Sequence, residues 1–210
     1  MKSLKLLLSL LVAGAVLAAC ALIPPIAVGN DALGYSSQEF TVGAAPAAAG
    51  FSLQATFSDS EIIPFDDIEQ PNMPIAPSSF QSVQGFTATV TVSGADLPET
   101  IIITSGTLQL NVSDDSGSPE PVEAEATFGP LTLERPAECA GTSCDYTFAD
   151  AAAAAETLTL TIAGSDLTRL LQIITEGSGN TLTLTLEVET EEAVSTMTFT
   201  VEVDENYIRF

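Results

Sequence analysis

The chain has 210 residues, room for one ordinary domain with a real core, and it carries 28 acidic against five basic side chains, a formal charge of −23. It contains no histidine and no tryptophan, which removes the Ser-His-Asp triad, the Cys-His pair and the commonest metal ligand. So few cations also argue against nucleic-acid binding and against docking on anionic headgroups.

The first twenty residues open with Lys2 and Lys5, run apolar from Leu6 to Leu17, and close as Leu17-Ala18-Ala19-Cys20. A positive start, an apolar centre shorter than the roughly 20 residues of a spanning helix, and small residues at the end are the parts of a removed secretory signal. The tetrapeptide is similar to the lipobox of bacterial lipoproteins at all four positions. That resemblance covers only the leader. It implies a signal peptide over 1–19 and a Cys20 that becomes the mature N-terminus, with diacylglycerol on its sulfur and an acyl chain such as palmitate on its amine. Two or three chains make such anchorage effectively permanent, where one is marginal. The implied location is the cell envelope, with the domain on the periplasmic or extracellular side. Ala21, where an Asp would favour the inner membrane, leans towards an outer membrane if the cell has one. Both lysines fall in the leader, so the mature part keeps only Arg135, Arg169 and Arg209 as cations.

Residues 20–34 are small and Pro-rich, with Pro24-Pro25, and read as the lipidated end plus a flexible tether. Residues 35–210 then form the acidic β domain. Gln38 to Val42 suits a first strand, and Phe51, Leu53, Ala55 and Phe57 alternate with polar residues as in a half-buried one. Four prolines between Ile62 and Ser79 predict a long loop. Clear period-two runs follow at Phe86–Val92, Thr107–Val112, Val122–Phe128, Leu131–Leu133, Thr157–Ile162, Thr181–Val188 and Ser195–Val203. Threonine forms the polar face and Leu, Val and Ile the buried one. Leu167, Leu170, Leu171 and Ile174 take helical spacing, which predicts one short helix over about 165–176 with Ser165 as N-cap and Gly177 past its end. Turn signals between the runs point to an all-β antiparallel sandwich of about seven to nine strands, with a strongly curved half-barrel as runner-up.

Thr89-Val-Thr-Val-Ser-Gly-Ala-Asp-Leu97 resembles Thr159-Leu-Thr-Ile-Ala-Gly-Ser-Asp-Leu167. This repeat predicts two similar β units, and with it a short helical counterpart over Leu97–Thr104 with Pro98 in its first turn.

Cys139 and Cys144 remain after Cys20. In an oxidising compartment a structural disulfide is the default, and this spacing differs from the Cys-x-x-Cys of redox motifs. Asp66-Asp67 and Asp114-Asp115 are adjacent carboxylates of the kind calcium uses, yet neither has the spacing of an EF-hand loop, and Asp114–Ser118 reads more simply as a hairpin turn. No metal ligand set and no cofactor is therefore assigned. The threonine ladders are ordinary outward faces of twisted sheets rather than flat ice-binding arrays. The terminal Tyr207-Ile208-Arg209-Phe210 is expected to be the last strand, not the end of a membrane barrel. The functional expectation is a monomeric, non-enzymatic binding or structural module of unknown ligand. The alternatives are a periplasmic carrier of hydrophobic ligands, which needs an apolar cavity, a calcium-dependent surface module, and a hydrolase built on two facing carboxylates.

Overall fold

The computed structural model describes residues 24–44, 55–64, 76–114, 116–150, 157–176, 180–192 and 194–210. Among them are twelve strands: β1 (Ile26–Val28), β2 (Ser37–Ala44), β3 (Ala55–Pro64), β4 (Ser79–Phe86), β5 (Thr89–Ser93), β6 (Thr100–Asp114), β7 (Val122–Phe128), β8 (Leu131–Glu134), β9 (Ser143–Phe148), β10 (Thr157–Ala163), β11 (Asn180–Thr190) and β12 (Thr196–Arg209). One helix, α1 (Gly164–Glu176), lies between β10 and β11. The fold is all-β and sandwich-like, with every strand pairing antiparallel.

Strands follow one another in the order β10-β4-β12-β2-β3-β11-β6-β8-β9-β5. A further pairing of β5 with β12, at Thr91↔Thr198, Val92↔Met197 and Ser93↔Thr196, brings the end of this path back onto its third member. Eight strands thus close into a ring at one end of the molecule. At the other end the sheet stays open. There β10 pairs with β4 and packs beside β7, with no ladder to it among the described residues.

The strands outnumber the seven to nine expected because several are segments of one longer strand. β4 and β5 lie along the same edge of β12, and β8 and β7 along the same edge of β6. The breaks fall at corners. Gly129, with φ +102, separates β7 from β8 in the left-handed region that glycine tolerates. The facing strand β6 changes parity there: Ile101 and Ile103 are buried, then Gly106, Leu108 and Leu110. The register with β11 shifts at the same place, as a bulge requires. A second shift, between Val203 and Glu205, bends β12.

Inside, the alternation anticipated from the threonine runs holds. Leu108, Leu110 and Val112 face Leu186, Leu184 and Leu182 across the β6–β11 ladder, and all six are buried. Phe40, Met197, Phe199, Val201 and Tyr146 join them. Phe86 gathers three rings around itself, with centroids 4.9 Å from Phe128, 5.9 Å from Phe199 and 6.5 Å from Phe148. In α1 the buried face is Leu167, Leu170 and Ile173, with Leu171 and Ile174 flanking it. The helix packs on β4, β6, β7 and β10 and so covers the open end. It begins at Gly164, φ +60, which places Ser165 inside the first turn rather than at the cap; Gly177 lies outside the described residues.

Four expectations change. The tether does not run to Gly34: Ile26–Val28 pairs with Ile208–Asn206 of β12, and Leu33 and Tyr35 are buried. The proline-rich loop gives way to strand as far as Pro64 and again from Ser79, and the stretch 65–75, with Asp66-Asp67, lies outside the described residues. No helix occupies Leu97–Thr104, since β6 already begins at Thr100. The two repeat copies also have different neighbours: β5 lies between β9 and β12, whereas β10 pairs with β4. The resemblance survives only as burial, with Val90 and Val92 turned inward like Leu160 and Ile162.

Candidate functional site

Cys139 and Cys144 form the disulfide, with Cα atoms 6.0 Å apart. The bond ties the 135–142 turn to the first residues of β9, where Cys144 is buried. Its surroundings explain a structural role. The Gly94 N–H donates to Thr142 O at 2.9 Å and the Arg135 N–H to Glu99 O at 2.9 Å. Arg135 Nη1 donates to Leu97 O at 2.6 Å, and the Tyr146 hydroxyl donates to Pro98 O. The crossover from β5 to β6 is thereby fastened across the hairpin that the disulfide closes. Burial raises the Tyr146 hydroxyl pKa, and the nearby Arg135 charge partly offsets this. Cys20 lies outside the described residues.

The described carboxylates lie mostly at the surface. Most stand exposed on outward strand positions, for example Glu123, Glu125, Glu187 and Glu189. Asp114 is the buried one, at 4% exposure. It accepts from the Ser116 N–H at 2.8 Å and from the Ser116 hydroxyl, while the Gly117 N–H donates to its carbonyl at 2.9 Å. This is the turn that its sequence suggested, with Gly117 at φ +74. No group of three or more Cys, Asp or Glu is placed to hold a metal among the described residues. Threonine and serine hydroxyls on the outer face bond to their neighbours: Thr41 to Thr198 at 3.1 Å, Thr91 to Asp145 at 2.7 Å, and Ser93 to Ser143 at 3.0 Å.

One constellation is not apparent from the sequence pattern. Strand β4 turns Phe80, Ser82, Gln84 and Phe86 inward, so two polar side chains enter the core with no exposed surface. Asn206 lies directly opposite Ser82 on β12 and is equally buried. Gln84 Nε2 donates to Ser82 Oγ at 2.6 Å, and Asn206 Nδ2 donates to Gly29 O at 2.8 Å and Asn30 O at 3.1 Å. Tyr35 completes the group. Its hydroxyl, Gln84 Oε1 and Asn206 Oδ1 have no hydrogen-bond partner. Burial drives the Tyr35 pKa far above the ordinary tyrosine value, with the Gln84 side chain acting weakly in the opposite direction. The group holds the 29–36 turn against the barrel wall. It brings together two hydroxyls, Ser82 and Tyr35, and two amides, Gln84 and Asn206, with no carboxylate among them. A partial signal exists for two members alone: continuing the Phe86 alternation backwards puts Gln84 and Ser82, with Phe80, on the buried parity, against the default that places polar residues outside, while Asn206 and Tyr35 have no such pattern.

No family model, no curated protein and no solved structure matches this chain.

Proposed function

We propose that this protein is a lipid-anchored cell-envelope lipoprotein whose β domain acts as a non-enzymatic binding or structural module. The observation that carries the reading is Leu17-Ala18-Ala19-Cys20, placed directly after a charged start and a short apolar run. The domain's own chemistry supports the non-enzymatic part. Most of its described carboxylates lie on outward faces, the buried Asp114 is engaged in its own turn, and the buried polar group holds another. The packed interior favours a module over a carrier: Leu108, Val112, Leu182, Leu184, Leu186 and Val201 have no accessible surface, so these residues border no water-sized void. Metabolic labelling with an alkyne-tagged palmitate in a bacterium that processes lipoproteins tests the anchor. The full chain is expected to take the label and fractionate with membranes, and Cys20→Ser to lose both. An unlabelled wild-type chain, or label persisting in Cys20→Ser, would refute the reading.

A further inference from the structure

Two strand edges face each other without pairing. The neighbours β10-β4-β12-β2-β3-β11-β6-β7 form a second set of eight strands, each antiparallel to the next. The strands at its two ends, β7 and β10, therefore run antiparallel to one another. Both are seven residues long. Both turn an apolar face inward: Val122, Ala124 and Phe128 on β7, and Leu158, Leu160 and Ile162 on β10. They lie side by side, with the direction and parity of a ladder but without its register of hydrogen bonds among the described residues.

Helix α1 straddles this seam. It follows β10 directly, turning at Gly164, where φ is +60 and a Cβ would meet nothing within 4 Å. On one bank it packs against β10 and β4, on the other against β7 and β6. Its buried face is Leu167, Leu170 and Ile173. Arg169 reaches across to the residues just before β7. Its Nη1 lies 3.4 Å from Glu120 Oε2 and donates to Pro121 O at 3.4 Å, while Nη2 pairs with Asp166 in the same helix. Covering an open strand edge with a helix protects it from stray pairing. Here the cover is side-chain packing plus an exposed ion pair, which is weak, whereas β6 and β11 are joined by a continuous backbone ladder. Regions held in this way open as units below global unfolding.

We infer that α1 is a hinged clasp: it lifts from the β7–β10 seam about Gly164, with Arg169 as its latch, while the closed ring stays folded. The lifted form presents the free edges of β7 and β10 and the apolar strip of the helix. None of this depends on the lipid anchor. A 13-residue helix stripped of its packing does not persist in water, so its amides exchange whenever the clasp lifts. Peptide-resolved hydrogen exchange of the full chain is expected to show α1 exchanging faster than the β6–β11 ladder. The decisive variant lies elsewhere, since Cys144 is on β9 and α1 packs on β4, β6, β7 and β10. Replacing both Cys139 and Cys144 with serine should speed exchange in the β6–β11 ladder about thirtyfold, through global unfolding, and leave α1 unchanged. Val92→Ala on β5 gives the same comparison if the serine variant does not fold. Arg169→Gln should speed α1 by roughly two- to fivefold, with Arg169→Lys restoring most of the wild-type rate. Equal acceleration of α1 and the ladder in the serine variant, or a wild-type α1 as protected as the ladder, overturns the clasp. An unchanged α1 rate in Arg169→Gln overturns Arg169 as its latch.

Discussion

Replacing Gly106 with alanine puts a methyl group where a ring already lies. A Cβ at Gly106 would fall within the ring of Phe128, its cross-strand partner, against Cζ, Cε1 and Cε2. The ring has little freedom to move aside, because it packs edge-on against Phe86 at 4.9 Å and 64°. Gly106 does not occupy the left-handed region that favours glycine, so the cost is steric. Overpacking of this kind costs about 1–3 kcal/mol, and in a domain of this size each kcal/mol lowers Tm by roughly 2–4 °C. Phe128→Ala alone should cost more, about 3–5 kcal/mol, through the cavity it leaves. The informative measurement is the pair. With the ring gone, alanine at 106 meets open space and removes glycine's backbone entropy, a gain of roughly 0.5–1 kcal/mol. Urea unfolding of the leaderless Cys20→Ser chain, with all four combinations compared at constant m-value, should therefore show Gly106→Ala changing sign between the two backgrounds. An equal cost in both would refute the close packing of ring on glycine.

Three more outcomes are expected from the same structure. Replacing both Cys139 and Cys144 with serine should lower stability by about 2 kcal/mol, the loop-entropy value for so short a loop, and reduction of the wild type should reproduce the loss in unfolding curves. Asn206→Ala removes the donor to Gly29 O and Asn30 O and should cost about 1–3 kcal/mol, with amide exchange accelerating first in the 29–36 turn; unchanged exchange there would count against the fastening role. Tyr35 should make the fold sensitive to alkali. Its folded-state pKa is raised by burial above the ordinary value of 10.0, so the unfolded chain releases this proton first. Stability is then full below pH 10 and falls as pH rises beyond it. Tyr35→Phe should flatten that fall in a pH series of unfolding midpoints, Tyr146 contributing in the same direction.

Sequence alternation revealed the inward and outward faces of β6, β7, β10 and β11 because threonine and aliphatic residues are chemically unlike at a period of two. It missed β9, whose Cys144, Tyr146 and Phe148 also alternate inward, because the preceding Gly, Pro and Ser signalled loop. It missed β1 for a related reason. Ile26-Ala-Val28 is too short to show a period, and its partner β12 lies at the far end of the chain. Pairing between strands is a property of tertiary contact, so neither the ring nor its order was legible. The repeat misled over Leu97–Thr104. Matching Gly-x-Asp-Leu corners do not determine the conformation of the next residues, and Pro98 with a run of β-branched residues at Ile101–Thr104 favours strand. The disulfide was legible from spacing and compartment alone. Ser82, Gln84 and Asn206 were not, since polar residues are placed outside by default.

The last strand has the most neighbours: β12 pairs with β1, β2, β4 and β5. A chain delivered from its N-terminus therefore holds nearly all of its strands before any ring can close, because the member that joins the two ends of the sheet arrives last. The other ladders, β10–β4 and β2–β3–β11–β6–β8–β9–β5, do not involve β12, so a chain cut short before Ser195 keeps two separate sets of paired strands and loses the closure altogether.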